Sequence, residues 1–242
     1  MGSNARSVGV PAAHRLPPAR QVAQPGWLDN ASVNTPDTIA VIDFETTGMG
    51  PTMGARATEI AAVLVRSGRI VDQYASLMRS GVWVPPFIEQ LTGISNRMLA
   101  TAPPAEDVMR EVSAFTQGCA MVAHNASFDR AFWLHERALA GCADELADAQ
   151  PFACTLLLSR RLYPEAPNHK LGTLAQWHGI TPTGRAHRAL ADAQMAAELW
   201  LRIERDVQQA YSASTPFGLM CALQRTPRHQ LKKAVGRFFE AS

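Results

Sequence analysis

The sequence predicts an α/β fold in which a mixed β-sheet is flanked by helices. Three β-rich runs stand close together near the start of the domain, a spacing typical of an antiparallel meander. Further along, short apolar runs alternate with segments of helical periodicity. A meander followed by alternating strands and helices favours a sheet that contains both antiparallel and parallel strands.

The individual elements can be placed from their periodicity. β-rich runs predict strands at residues 38–43, 58–65, 69–78 and 119–123, and a further apolar segment spans 152–158. Apolar residues at helical spacing predict helices at 104–115, 171–177 and 188–207, and a fourth helix that starts at Ser127. We expect Ser127 to be the N-cap of that helix, because its hydroxyl can accept a hydrogen bond from a backbone N–H of the first turn.

Three regions of the chain differ in composition. Residues 1–36 are rich in Pro, Ala, Ser and Gln without a sustained period, so a flexible tail is expected there. Its three arginines resemble a transit peptide, but its prolines interrupt any amphipathic helix, which disfavours targeting. Residues 37–212 are expected to form the folded domain. Residues 213–242 predict a basic tail that holds an amphipathic helix of marginal stability.

Length and composition exclude several classes of protein. A chain of 242 residues with 47% hydrophobic residues is long enough for one well-packed domain. No apolar run approaches the ~18 residues that a membrane helix requires, so no membrane partner is expected. The four cysteines are widely spread without a CxxC pair, which argues against a zinc site or a disulfide framework. Free thiols are typical of a reducing compartment, so we expect a cytoplasmic protein.

The net charge of +2 is the sum of three unlike regions. The first region carries +2, the central domain −4 and the last region +4. An acidic domain meets phosphates through bound cations, whereas a basic segment attracts a nucleic-acid backbone directly. The last region is therefore the predicted place of a salt-sensitive contact.

Two carboxylates stand at the end of the first predicted strand. Asp43 and Glu45 are two residues apart, and such residues point to the same face of a strand. Two neighbouring anions repel each other and resist burial unless a cation compensates them, and hard oxygen ligands favour Mg²⁺ or Mn²⁺. The alternative interpretation is a solvated strand end that carries two acids.

Two further acids stand at positions that either chemistry or ordinary structure explains. Asp129 lies in the first turn of a predicted helix, where an acid also interacts favourably with the helix dipole. Asp192 lies in an alanine-rich helix, an apolar setting in which a carboxylate needs a partner. His187, five residues before Asp192, is placed to share its pocket, although single histidines are often structural.

Three motifs combine these residues. They are Asp43-x-Glu45-Thr46-Thr47-Gly48, His124-Asn125-x-x-Phe128-Asp129 and His187-x-x-x-x-Asp192. In this order and on these elements, the motifs resemble those of the DEDDh exonuclease superfamily, over roughly residues 37–207. The resemblance implies an RNase H-like fold. It also implies hydrolysis of phosphodiesters from the 3′ end with two divalent cations, Mg²⁺ or Mn²⁺, and release of nucleoside 5′-monophosphates.

The resemblance assigns a role to each of the five residues. Asp43 is expected to bridge the two ions, and Glu45 and Asp192 to hold the ion on the side of the attacking water. Asp129 is expected to act partly through bound water. His187 is the expected general base, because an imidazole titrates near neutral pH.

The same resemblance indicates substrate-binding residues. Thr46 and Thr47 follow the metal-binding strand and are expected to offer hydroxyl or backbone contacts to the terminal nucleotide. Asn125, in the second motif, is a further expected substrate contact.

Two other segments resemble family elements less specifically. Residues 85–95, with Thr92 as the candidate contact, resemble the segment that packs against the terminal base and sugar; a proline-initiated helix that ends at Gly93 is the alternative. The bacterial proofreading subunit usually has His where this chain has Thr92, which argues against close equivalence with that subunit. Residues 168–171 resemble a family loop, or simply begin a helix.

The function predicted on this basis is a 3′–5′ exonuclease that acts on single-stranded DNA ends, in proofreading or repair. An exoribonuclease that degrades RNA or short oligoribonucleotides is the main alternative, because the catalytic set is shared. A non-catalytic module tethered to a DNA polymerase through the C-terminal tail is the second alternative. A pseudoenzyme is expected to have lost at least one of the five residues, and all five are present.

Overall fold

The computed structural model describes residues 38–149 and 151–241. The strands are β1 (Thr38–Thr46), β2 (Ala57–Arg66), β3 (Arg69–Leu77), β4 (Ala120–Ala123) and β5 (Phe152–Cys154). They form one sheet in the order β3-β2-β1-β4-β5. The tail predicted at residues 1–36 lies outside the described residues.

Helices connect and cover the strands. They are α1 (Pro86–Thr92), α2 (Asn96–Ala100), α3 (Ala105–Phe115), α4 (Ala126–Leu139), α5 (Glu145–Ala149), α6 (Thr155–Leu162), α7 (Leu171–Trp177), α8 (Ala189–Tyr211), α9 (Phe217–Leu223) and α10 (Leu231–Glu240). Short 3-10 turns stand at Pro51–Met53 and Arg228–Gln230.

The pairing of the strands confirms the predicted mixed sheet. β2 is antiparallel to both β1 and β3, which makes the meander. β4 is parallel to β1 and β5 is parallel to β4. The carboxyl ends of β1, β4 and β5 therefore meet at one edge of the sheet, where loops and helix starts can bring side chains together.

Side chains of the central strand β1 alternate between two packed layers. Val41 lies in one cluster with Leu199 and Trp200 of α8. Ala40 and Ile42, on the opposite face, lie in a second cluster to which α3 and α4 contribute. Because helices cover both faces, β1 presents functional groups chiefly at its carboxyl end.

The start of α4 differs from the prediction by one residue. Asn125 turns the chain with a φ of 68°, and the helix begins at Ala126. The prediction that Ser127 is the N-cap is wrong, since Ser127 lies inside the first turn. The reason is that asparagine tolerates the left-handed conformation, which permits an abrupt passage from β4 into the helix.

The predicted C-terminal tail, residues 213–242, contains two helices that pack on the domain. Leu219, Met220 and Leu223 of α9 are at most 1% exposed and join the cluster that contains α8. The side-chain amide of Gln224 accepts a hydrogen bond from the backbone N–H of Cys154 at 2.6 Å and donates one to the Phe152 carbonyl at 3.0 Å. These contacts complete the hydrogen bonding of the outer strand β5, so the segment is part of the folded unit.

The described residues contain no helix with both the length and the apolar character needed to cross a bilayer. All four cysteines are free thiols, of which Cys154 and Cys221 are buried.

Candidate active site

The fold brings the four predicted acids to the carboxyl edge of the sheet. Asp43 and Glu45 stand near the end of β1, and Asp129 and Asp192 stand in the first turns of α4 and α8. Asp129 is 2% exposed and accepts a hydrogen bond from the backbone N–H of Phe44 at 3.2 Å. This bond holds the start of α4 against the strand that carries the first two acids.

The start of α8 brings His187 to the same place. The backbone of His187 is left-handed, with a φ of 59°, and its N–H donates to Oδ2 of Asp192 at 3.2 Å. One potential ligand atom from each of Glu45, His187 and Asp192 lies within 4.8 Å of the others. The three side chains are thus close enough to surround one cation.

Burial and mutual repulsion disfavour the charged form of these acids. Burial raises the pKa of Asp43 well above its usual range, and the charges of Asp129 and Glu45 raise it further. Burial, with repulsion from Asp192, raises the pKa of Glu45 to about 8. Burial also raises the pKa of Asp129 to about 8 and shifts the pKa of Asp192 upward. A cluster of this kind holds its full negative charge only when cations enter it.

The residues at this edge fit divalent cations. Their donor set consists of carboxylate oxygens, which Mg²⁺ and Mn²⁺ prefer, with one exposed imidazole beside them. Asp43, Glu45, Asp129 and Asp192 are the residues that would hold such ions.

A fifth acid, the buried Glu59, adjoins the cluster and was not predicted. It stands on β2 directly opposite Glu45 and is 4% exposed. Its oxygens accept hydrogen bonds from the guanidinium of Arg188 and from the backbone N–H of Ala189. The sequence did contain a signal for it, namely a glutamate near the start of a predicted strand whose following residues are all apolar.

The predicted substrate residues Thr46 and Thr47 are buried at the turn after β1. The hydroxyl of Thr46 donates to the Gly48 carbonyl at 2.7 Å. The hydroxyl of Thr47 accepts from the backbone N–H of Arg56 at 3.0 Å. Both side chains therefore stabilise this turn through one hydrogen bond each. Backbone groups and the remaining hydrogen-bonding capacity of the two hydroxyls are left for a ligand.

Thr92 terminates α1. Its side chain is 2% exposed, and its hydroxyl donates to the Ile88 carbonyl and accepts from the N–H of Ile94. Gly93 ends the helix with a φ of 74°. Residues 85–95 thus take the form of the proline-initiated helix, and the hydroxyl of Thr92 is used inside the fold.

Asn125 is exposed and lines a cavity of about 980 Å³ together with His187 and Asp192. Arg160 and Lys170 lie on the wall of the same cavity. The cavity therefore joins the acidic cluster to a wall that carries positive charge.

His124 holds one wall of this cavity in place. Burial lowers the pKa of His124 to about 4, so its ring is neutral at pH 7. Nε2 donates to the His169 carbonyl at 3.1 Å, and the hydroxyl of Thr155 donates to Nδ1 at 2.9 Å. Residues 168–170 are thereby a loop on the cavity wall, and the helix that follows begins at Leu171.

Comparison with known proteins shows which family carries this arrangement. The model of the exonuclease family RNase_T matches residues 40–200. The chain belongs to this exonuclease family. The expected DEDDh assignment is thereby confirmed.

Relatives of the exonuclease domain occur within much longer proteins. The 3′-5′ exonuclease DinG of Bacillus subtilis is 34% identical over 78% of this chain and 19% of its own length. A PolC-type DNA polymerase III of Caldanaerobacter subterraneus is 34% identical over 70% of this chain and 12% of its own length. A DNA polymerase III subunit epsilon-like protein of Rhodobacter capsulatus is 37% identical over 69% and 23%. The chain thus spans less than a quarter of these relatives.

Solved structures of exonucleases share the fold. Exonuclease X in complex with 5′ overhanging duplex DNA is 28% identical, with a TM-score of 0.57 over 77% of this chain and 99% of that chain. The nuclease domain of 3′hExo, a DEDDh family member bound to rAMP, is 22% identical, with a TM-score of 0.59 over 70% of this chain and 92% of that chain. The predicted RNase H-like sheet is confirmed.

Proposed function

We propose that this exonuclease-family chain hydrolyses single-stranded DNA from its 3′ end and releases nucleoside 5′-monophosphates with the help of two divalent cations. The observation that carries the proposal is the convergence of four acids and His187 at one edge of the sheet, beside a cavity open to solvent. All five residues of the family's catalytic set are present.

The chain's own residues divide the work of the reaction. Asp43, Glu45, Asp129 and Asp192 would hold the cations, which would supply stabilisation of the attacking and leaving oxygens of an in-line displacement. His187 is exposed and stands beside Glu45 and Asp192, where its imidazole accepts the proton of the attacking water.

The cavity wall supports binding of a single strand. Arg160 and Lys170 are exposed and line the cavity that also contains Asn125. Cations along a groove attract successive backbone phosphates, and the polar side chain of Asn125 offers a hydrogen bond to the terminal nucleotide. Their side chains thus supply attraction that does not depend on base sequence.

A direct comparison of substrates tests the proposal. Single-stranded DNA and RNA oligomers of matched sequence, labelled at either end, are incubated with the protein and Mg²⁺ or Mn²⁺. The 3′ label is expected to appear at once as mononucleotide and the 5′ label as a descending ladder, with DNA degraded at least about 10-fold faster, the ratio that 1.4 kcal/mol produces. Faster degradation of RNA would favour the exoribonuclease alternative, and intact oligomers would refute the exonuclease.

A basic surface on the C-terminal helices supports a contact with the nucleic-acid backbone. Lys232, Lys233 and Arg237 of α10 are exposed, whereas Leu231 and Val235 of the same helix are buried. Because α9 and α10 contribute buried residues to the core, deletion of residues 213–242 would disturb the fold. The contact is therefore better tested by substitution of the exposed basic side chains.

Replacing Lys232, Lys233 and Arg237 together by Gln is expected to weaken binding of long oligomers at low salt. Each lost phosphate contact reduces the salt dependence of log K by about one, so the slope should decrease by about 2 to 3. Binding titrations followed by fluorescence anisotropy, at several salt concentrations from low to moderate, measure this slope. Hydrolysis of a dinucleotide, which has only one internucleotide phosphate, serves as the control, and an unchanged slope would contradict the contact.

Relatives named as polymerase III components support a proofreading role. In that role the same C-terminal surface is the proposed contact with a DNA polymerase. Co-migration of the chain with a replicative polymerase in gel filtration, lost in the triple variant, would support this role.

A further inference from the structure

We propose that Glu59 is a positioning residue, which orients His187 and Asp192 by holding Arg188 and the first residue of α8. This inference rests on the proposed function, since it concerns the same site. Nε of Arg188 donates to Oε2 of Glu59 at 3.0 Å, and Nη2 donates to Oε1 at 2.7 Å. The backbone N–H of Ala189 donates to Oε2 at 3.0 Å.

Glu59 has the properties of an anchor. It lies in β2, which is paired on both sides, opposite Glu45 on one neighbour and Leu77 on the other. Both of its oxygens are engaged by the three donors, and a bidentate guanidinium matches its charge. Since the sheet fixes the backbone of Glu59, its carboxylate holds Arg188 and the N–H of Ala189 in defined positions.

The anchored residues lie between the two groups that α8 brings to the site. Arg188 follows His187 directly, and Ala189 begins the helix that carries Asp192. Arg188 itself makes no side-chain capping bond to α8. The carboxylate of Glu59, which belongs to β2, therefore acts in place of the N-cap side chain of α8. It accepts an N–H that the helix leaves unpaired, and it faces the positive end of the helix dipole.

The conformation of His187 requires such an anchor. Its φ of 59° is unfavourable for a residue other than glycine and persists when its surroundings impose it. On one side its N–H is bound by Asp192, and on the other its neighbour Arg188 is bound by Glu59. Release of Arg188 would let the histidine relax and carry the imidazole away from Glu45 and Asp192.

A second anchor of the same chemistry provides a matched comparison. Glu136 of α4 accepts two hydrogen bonds from the guanidinium of Arg56 and one from the N–H of Ala57, each at 2.9 Å. This anchor binds α4 to the start of β2 and includes none of the five catalytic residues. Glu136→Gln thus removes an equivalent buried pair without releasing His187.

The decisive variant is Arg188→Gln. Loss of a positive charge beside Glu45 would by electrostatics alone strengthen cation binding. Loss of the anchor, in contrast, should weaken Mn²⁺ binding and reduce kcat by about 10- to 100-fold each, the usual effect of removing a group that orients metal ligands. KM for a long oligomer should change less than kcat, because the cavity wall is untouched.

The experiment combines calorimetric titration of the metal-free protein with Mn²⁺ and steady-state hydrolysis of a 3′-labelled strand. Arg188→Lys, which keeps the charge but cannot bind Glu59 in a bidentate manner, is expected to recover part of the Mn²⁺ affinity and of kcat. Glu136→Gln should reduce the melting temperature while leaving the Mn²⁺ affinity within about 2-fold, since no ligand is released.

Mn²⁺ affinity equal to or above that of the parent in a folded Arg188→Gln would overturn the inference, as would equal losses of affinity in Glu136→Gln. If Arg188→Gln fails to fold, Arg188→Lys carries the same test, and parental affinity and kcat in that variant would overturn it. If the parent protein hydrolyses no oligomer, the proposed function fails, and the Mn²⁺ titration still decides the role of Glu59.

Discussion

Asp43→Asn is expected to reduce hydrolysis of a 3′-labelled single strand at least about 1,000-fold, which corresponds to about 4 kcal/mol of transition-state stabilisation. Asp43 stands at the centre of the acids, and its pKa is raised by burial and by Asp129, Glu45 and Asp192. An amide has one neutral oxygen in place of a carboxylate. The variant therefore binds cations poorly, and single-turnover hydrolysis with Mg²⁺ or Mn²⁺ measures the loss.

The same substitution is expected to raise the melting temperature of the metal-free protein at pH 8.5, because it removes a carboxyl whose ionisation is opposed by burial and by the neighbouring acids. Asp72→Asn is a suitable control, since Asp72 is an exposed residue of β3. That control should change neither activity nor melting temperature. An Asp43→Asn variant that keeps more than about a tenth of the parental rate, a deficit of under 1.4 kcal/mol, would contradict the assignment of Asp43 as a metal ligand.

The second large effect is a loss of stability of the metal-free protein as the pH rises. The pKa of Glu45 is about 8 in the folded protein against an ordinary 4.5, so the folded state binds its proton more tightly than the unfolded chain. The contribution is fully present below pH 4.5 and is lost as the pH rises through about 8. Asp129, with a pKa of about 8, acts in the same direction.

Thermal melting in EDTA is expected to show this loss as a decrease on the order of 5 °C between pH 5.5 and 8.5, since 1 kcal/mol corresponds to about 2 to 4 °C at this size. Mn²⁺ should remove the decrease, because bound cations stabilise the ionised carboxylates. Asp43→Asn should flatten the profile in EDTA. A melting temperature in EDTA that rises over this interval would show that the acids are ionised without metal.

Local pattern accounted for most of the secondary structure. The helix predicted at 171–177 is observed as Leu171–Trp177, and the strand predicted at 58–65 extends by one residue at each end. Periodicity succeeds here because both elements bury one face or two against the core, so apolar spacing reports their geometry directly. The helices of the last 30 residues were harder to predict, because Pro216, Gly218 and Pro227 interrupt the apolar pattern. Contacts with distant segments, such as those of Gln224, stabilise these short helices.

The local sequence pattern also predicted which residues of the site lie side by side. Asp43 and Glu45 share a strand face by the two-residue period, and His187 and Asp192 share a helix start. The contact of Asp129 with Phe44 joins residues 85 positions apart and was not predicted; the motif order indicated only that Asp129 belongs with Asp43 and Glu45. Glu59 was missed because its partner Arg188 is 129 positions away and nothing in the local pattern relates the two.

The amino-acid sequence by itself predicted the mixed α/β fold from residue type and short-range periodicity, and the resemblance of its three motifs to the DEDDh superfamily indicated the exonuclease family and the candidate acids and histidine. Only the tertiary structure decided that residues 213–241 belong to the packed domain. It also decided that the hydroxyl of Thr92 hydrogen-bonds to Ile88 and Ile94, and that Glu59 holds the start of α8. The physical reason is that burial, hydrogen-bond satisfaction and charge compensation depend on which distant segments meet, and pairing across the sheet determines those meetings.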